Sequence, residues 1–270
     1  MFSERSASLD RPVFLIGCGR SGTTILGTAL SHHPGIAYLN EPRQLWIRCY
    51  PETDIWSPLA DRRGGALALD ASVCTGRRTR RLRALFAEEL RKSGRRQLVE
   101  KLPINSFRLP FIDAMFPDAR YLHIVRSGLE VATSIARQCA DGAWYGAHDY
   151  KWRQLVRFAD RRRETASLPA HCSDDFERGL LEWRLSVECA RAFCSALPPS
   201  RHLELRYEAL VADPPGTLAD VERFIGVPPA PEVEAFARAN ISRRSPEAPP
   251  PTAVTRRIAG PLLDRLGYLR

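Results

Sequence analysis

The stretch Gly17-Cys18-Gly19-Arg20-Ser21-Gly22-Thr23-Thr24 decides the reading of this chain. It has the G-x-x-x-x-G frame of a phosphate-binding loop, but Thr23 stands where a nucleoside-triphosphatase loop has its lysine. Ahead of it, Arg11-Pro12-Val13-Phe14-Leu15-Ile16 reads as a short buried strand. Behind it, Ile25-Leu26-Gly27-Thr28-Ala29-Leu30 reads as a helix that breaks near His33-Pro34. A strand, a glycine turn and a helix start gather backbone N–H groups and a positive helix end around one anion. The missing lysine argues against triphosphate hydrolysis, and Arg20 supplies a cation from within the loop instead. Simple turn chemistry is the competing account of these glycines.

A second anchor weakens that account. Ala119-Arg120-Tyr121-Leu122-His123-Ile124-Val125-Arg126 reads as another strand, and Ser127-Gly128 turns the chain into a helix carrying Ser134. Arg126 at the carboxyl end of a strand and Ser134 about two helical turns later suit a second phosphate at the ligand-binding edge of a parallel sheet. Further short apolar strands are expected at Ile36–Leu39, Gln97–Glu100 and His202–Leu205. Helices are expected after the first, third and fourth strands, and over Arg80–Arg91, Tyr150–Ser167, Asp175–Leu197, Thr217–Ile225, Pro231–Ala239 and Ala259–Leu266. The fold class is therefore α/β: a single P-loop-like domain over 1–270, with a central parallel sheet of about five strands flanked by helices. The segments 40–80, 140–175 and 240–257 are expected to form loops or lids around the site.

With both anchors in this order, the chain resembles the sulfotransferases that use 3′-phosphoadenosine 5′-phosphosulfate. Glu100-Lys101-Leu102-Pro103, Arg206-Tyr207-Glu208-Ala209-Leu210-Val211-Ala212-Asp213-Pro214 and the terminal Ala259-Gly260-Pro261-Leu262-Leu263…Leu266-Gly267-Tyr268 extend the likeness over most of its length. The resemblance implies that Arg20, Ser21, Gly22, Thr23 and Thr24 hold the 5′-phosphosulfate, and that Arg126 and Ser134 hold the 3′-phosphate. It further implies that Tyr207 lines the adenine pocket, packing being the competing role. One of Arg243, Arg244, Arg256 and Arg257 stands where the family sends a late basic residue to the 3′-phosphate.

The chemistry needs a base, a cation at the transferring group and alignment of the two. Glu41, in Asn40-Glu41-Pro42, is the candidate base. Members such as the tyrosylprotein sulfotransferases carry a glutamate at a matching distance, whereas the cytosolic branch uses a histidine absent from Lys101-Leu102-Pro103. A useful base needs a raised pKa, or a hydroxyl poised so that its proton leaves late in transfer. A helix cap or a pairing with an arginine is the other account of Glu41. Lys101, at a strand end, is the candidate cation, with a salt bridge to Glu100 as its alternative. Arg20 is expected to share the catalytic work. Trp144, Tyr145, His148 and Trp152 form a possible acceptor wall or a piece of core, and His148 is the reserve base. His32, His33 and Trp183 read as structural.

Composition sets outer limits. The 270 residues can bury one substantial core. The formal net charge of +9 is carried almost wholly by arginine, since the only lysines are Lys92, Lys101 and Lys151. Dense patches at Arg77-Arg78…Arg80-Arg81 and Arg161-Arg162-Arg163 read as solvated helix faces, and no nucleic-acid motif accompanies them. An anionic nucleotide or acceptor accounts for part of the excess. Seven cysteines without C-x-x-C pairs suit a reducing compartment and offer no zinc site; Cys18 reads as a small buried thiol. No metal is expected. No run approaches the length of a membrane span and Met1–Arg5 opens no signal peptide, so a cytoplasmic location is expected. The arginine-rich composition points to a GC-rich bacterial genome and secondary metabolism. The reaction expected from the resemblance is metal-independent sulfuryl transfer to the hydroxyl of a small metabolite. A P-loop nucleotide kinase and a non-catalytic nucleotide-binding protein are the rival classes; the first should have lysine at position 23 and a magnesium ligand.

Overall fold

The apolar run before the glycine loop is the middle strand of the sheet. In a computed structural model that describes residues 9–142, 144–242 and 248–269, β1 (Val13–Ile16) lies between β3 (Gln97–Lys101) and β4 (Arg120–Val125), with β2 (Ile36–Asn40) and β5 (His202–Arg206) at the edges. All four pairings of the order β2-β3-β1-β4-β5 are parallel, as expected. Strands covered on both faces bury side chains of both parities. Val13 and Leu15 enter one core with Leu26, Leu30, Val99 and Leu122, while Phe14 and Ile16 enter the other with Trp46, Phe116 and Tyr121.

Helix α1 (Thr23–Ser31) belongs to the first layer, together with α8 (Tyr207–Ala212), α9 (Pro214–Ile225) and α10 (Pro231–Asn240). The second layer contains α2 (Arg43–Cys49), α3 (Gly76–Ser93), α4 (Leu109–Met115), α5 (Gly128–Asp141), α6 (Tyr150–Asp160), α7 (Asp175–Cys194) and α11 (Ala253–Arg265). Buried Trp183 ties α7 to the end of β4 by donating from Nε1 to the Arg126 carbonyl at 3.0 Å. Its ring lies so close to Gly128 that a Cβ there would come within 2.6 Å of it.

Local differences from the sequence reading have physical causes. Helix α6 stops at Asp160, so Arg161, Arg162 and Arg163 sit in an exposed turn and not on a helix face. Arg162 folds back over the Phe158 ring. Helix α11 begins six residues before the expected Ala259, with Thr252 capping the Thr255 N–H, and continues through Pro261. His33 is structural: its Nδ1 accepts from the Gly35 N–H and its Nε2 donates to the Pro228 carbonyl, while His32 stacks on Phe236.

The 40–80 stretch contains α2 and two short 3₁₀ turns, and buries Trp46, Tyr50 and Ile55. Buried Arg108 holds it down by donating to the carbonyls of Thr53, Ala66 and Leu67 at 2.8–3.1 Å. An Arg108→Met substitution strips three inward carbonyls of their donors, and is expected to lower unfolding free energy by about 3–5 kcal/mol. Urea denaturation measures this; a loss below about 1 kcal/mol would mean that the segment is held otherwise.

Candidate active site

Connections leave β1 and β4 toward opposite edges of the sheet, which opens a crevice at their carboxyl ends. The glycine loop and Arg126 both emerge there. Gly17 has φ 149°, and a Cβ on it would lie 2.5 Å from the Ile124 carbonyl oxygen. Its N–H donates to the Ser106 hydroxyl at 3.1 Å. Gly22, at φ 98°, precedes α1 without a side-chain cap, and a Cβ there would meet the Tyr207 ring at 2.5 Å. The loop is thus a bare backbone cradle at a helix N-terminus, the form that suits an oxyanion.

Two non-glycine residues in the crevice hold left-handed backbone conformations: Arg20 at φ 73° and Glu41 at φ 49°. Such strain costs of order 1–3 kcal/mol per residue and is maintained by neighbouring contacts. Arg126 donates from Nη1 to the Arg20 carbonyl at 3.3 Å, and Arg20 Nε donates to Ser134 Oγ at 3.0 Å. Arg20, expected at the first anion, therefore links Arg126 and Ser134, expected at the second. The buried Arg126 also pairs with Glu130 at 2.8 Å, and its guanidinium stacks 4.2 Å over the Tyr207 ring. Tyr207 is buried at the start of α8.

At the other side of the loop, Lys101 Nζ donates to Glu41 Oε1 at 2.8 Å and to Thr24 Oγ1 at 3.3 Å. The Glu41 N–H donates to the Lys101 carbonyl at 2.7 Å, so edge strand β2 ends by pinning the carboxylate over the lysine. Arg43 binds Glu41 Oε2 at 2.6 Å and lies over the Trp56 ring. Burial pushes the Glu41 carboxyl up, but the hydrogen bonds and charges of Lys101 and Arg43 outweigh it and hold the group below the ordinary glutamate value. The partner of Lys101 is Glu41 and not Glu100. Glu100 is buried, accepts from Trp46 Nε1 and Asn105 Nδ2, and is pushed up to about 8 chiefly by burial.

Among the loop residues, Arg20, Thr23 and Thr24 line a cavity of about 290 Å³ together with Glu41 and Arg43. Ser21 is turned inward and fully buried. The cavity's apolar wall is Trp56, Leu102, Pro103, Ile104, Phe107 and Trp144. Of the four residues considered for an acceptor wall, only Trp144 lines it. Tyr145 is buried against Trp152, and His148 is exposed on the turn before α6. Arg257 bonds His171 on the outside of α11, Arg256 is exposed on the same helix, and Arg243 and Arg244 lie outside the described residues. The cavity also receives Lys151 and Glu182, a buried pair at 2.6 Å that the sequence reading missed. Cys18 is a buried thiol beside them, pushed well up by burial and by Glu182. Among the described residues, the one cluster with metal-ligand character is His123, His202 and Glu204. There Arg191 Nε donates to Glu204 at 2.9 Å.

Residues 12–232 match the family model described as the sulfotransferase family. The chain belongs to the sulfotransferase family. It is similar to the nodulation protein NoeE of Sinorhizobium fredii, 28% identical over 131 residues, covering 45% of this chain and 30% of that one. It is also similar to protein-tyrosine sulfotransferase 2 of Gallus gallus, 24% identical over 219 residues, covering 80% of this chain and 51% of that one. The chain thus spans from under a third to about half the length of these family members. A sulfotransferase structure from Alicyclobacillus acidocaldarius shares the fold at a TM-score of 0.54, with 17% identity, over 96% of this chain and 94% of that one. No described helix is long and apolar enough to cross a membrane.

Proposed function

We propose that this family member transfers a sulfuryl group from 3′-phosphoadenosine 5′-phosphosulfate to the hydroxyl of a small acceptor. The observation that carries the reading is the Thr24–Lys101–Glu41 chain of contacts, which sets a cation between the cradle and a carboxylate in one cavity. The residues fit the nucleotide: the cradle leaves no room for a Cβ at Gly17 or Gly22, and two arginines with a serine adjoin it. When bound, that nucleotide supplies a sulfuryl group joined to a phosphate leaving group.

In this reading each residue has a task. Backbone N–H groups of residues 20–24 and the Arg20 guanidinium hold the 5′ end. Arg126 and Ser134 hold the 3′-phosphate, and Tyr207 fixes the plane of Arg126. Lys101 counters charge developing near Thr24. Glu41 orients the acceptor hydroxyl and takes its proton. Because its resting pKa is lowered, proton transfer is expected late, once the bond to sulfur has begun to form.

Calorimetric binding of 3′,5′-adenosine bisphosphate tests the donor. The wild type is expected to bind it without added metal and in preference to ATP–Mg²⁺. Arg126→Ala should weaken it by about 10–100-fold, the range for a charge-assisted hydrogen bond. Preference for ATP–Mg²⁺ would remove the sulfuryl-donor reading.

A further inference from the structure

The cavity has a second polar wall that the reaction as described leaves unused. It is formed by α7, which presents Glu182 and Ser186 one helical turn apart. Both residues are at least nine-tenths buried, yet both line the cavity. Glu182 Oε1 accepts from Lys151 Nζ at 2.6 Å and Oε2 accepts from Trp144 Nε1 at 3.0 Å. Besides this ion pair, the Lys151 ammonium lies 4.3 Å over the Trp144 ring and 5.6 Å from the Tyr145 ring. Trp144 in turn packs against the glycine loop, where a Cβ on Gly19 would come within 2.6 Å of the edge of the indole. This wall is therefore braced against the loop itself. The Ser186 hydroxyl finds no hydrogen-bond partner among the described residues. Buried hydroxyls are ordinarily paired, so an unpaired one on a residue at the cavity's edge leaves a bonding capacity open there.

The chemistry of the wall selects its ligand. Each Glu182 oxygen has one donor and retains a lone pair, and Ser186 both donates and accepts. With Lys151 paired to Glu182, this wall carries no net positive charge to offer an anionic group. A carboxylate or sulfate placed here would face Glu182. An O–H or N–H donor would complete both side chains. Apart from Gln138, the lining between the two polar ends is apolar, which suits a hydrocarbon or aromatic body there.

We propose that Glu182 and Ser186 are specificity-determining residues that select acceptors carrying a second O–H or N–H donor, distant from the hydroxyl that is sulfated, and that disfavour acidic acceptors. This rests on the sulfuryl-transfer reading above. The test uses phenols sharing one body: tyrosol, tyramine, para-ethylphenol and para-hydroxyphenylacetate, with hexanol and hexanediol as an aliphatic pair. All are assayed with 3′-phosphoadenosine 5′-phosphosulfate, and bisphosphate binding is measured in parallel.

In the wild type, kcat/KM for tyrosol or tyramine is expected to exceed that for para-ethylphenol by about tenfold, as one hydrogen bond to a charged group allows. If the acceptor is aliphatic, hexanediol should exceed hexanol by the same factor. Para-hydroxyphenylacetate should rank last. Ser186→Ala and Glu182→Gln should each collapse the donor-to-apolar ratio toward unity while bisphosphate affinity stays as in the wild type. Ser186→Ala removes no partner of Lys151, so it reports even if Glu182→Gln fails to fold. A flat ranking, a preference for the acid, or a ratio that survives Ser186→Ala would overturn the proposal. So would failure to sulfate any of the six compounds by an enzyme that binds the bisphosphate. Failure to bind the bisphosphate would overturn the donor assignment first, and the acceptor inference with it.

Discussion

Turnover of the Glu41→Gln variant is expected to fall by about 10²–10⁴-fold, the range that a general base supplies. Affinity for 3′,5′-adenosine bisphosphate should stay within about twofold of wild type, because the residues proposed to hold the nucleotide, Arg20, Arg126 and Ser134, are bonded to one another and not to Glu41. Glutamine keeps the shape but has a single acceptor oxygen, so Lys101 and Arg43 both lose an ionic partner and one of them also loses its hydrogen-bond acceptor. Rapid-quench transfer assays together with calorimetry separate the two effects. If turnover survives, the carboxylate is a positioning group for Lys101 and the acceptor proton leaves to water. His148, the reserve candidate, is exposed and does not line the cavity.

The same geometry sets the pH response of the wild type. The folded-state pKa of Glu41 lies below its ordinary value, so the ionised form persists as pH falls through the usual carboxylate range. The acidic limb of kcat/KM, which reports the free enzyme, should therefore fall below the ordinary glutamate value near 4.5. A limb near neutrality would assign the base to another group.

Much of the sheet was legible in the sequence, and the reason is physical. Parallel strands covered on both faces are largely apolar, so Val13–Ile16 and, but for Arg120 and His123, Arg120–Val125 stand out against an arginine-rich background. The half of the site proposed for the nucleotide was legible for a related reason. Gly17 and Gly22 mark positions where a side chain would strike Ile124 or Tyr207, and the residues around them are fixed by that backbone. The acceptor half was not. Arg43, Trp56, Lys151, Glu182 and Ser186 come from four separate segments that meet only through long-range packing. One signal was available: Lys151 is one of three lysines in a chain with 40 basic residues. A lysine retained in the polar-faced Tyr150–Asp160 helix gave no sign that it would be buried under two aromatic rings. Short α2, between Pro42 and Pro51, carries too little periodicity to be read as a helix, yet it delivers Trp46 to the core and Arg43 to Glu41.

Lys101→Met is the counterpart of the base substitution, and its expected effects are of two kinds. Removing a preorganised cation from a charge that develops in transfer should lower kcat by about 10²–10³-fold. The second effect concerns Glu41 and distinguishes catalysis from simple damage. Burial pushes this carboxyl up, while Lys101 is the foremost of the groups that pull it down. With methionine in place of lysine, burial remains and only Arg43 opposes it. The acidic limb of the pH–rate profile should then move upward, toward the ordinary glutamate value. The sign follows from the partner lost: without the cation, protonation of Glu41 is favoured at higher pH. Because Lys101 is buried at the end of β3 and methionine has a similar length, the strand pairing to β1 and β2 should persist. Circular dichroism and an unchanged melting profile would verify that. A large fall in kcat with no shift of the limb would separate the lysine from Glu41 in the reaction. Loss of activity with loss of fold would be answered by Lys101→Arg, which keeps the charge but cannot occupy the same point between Thr24 and Glu41. That variant should retain a depressed Glu41 and recover only part of the rate.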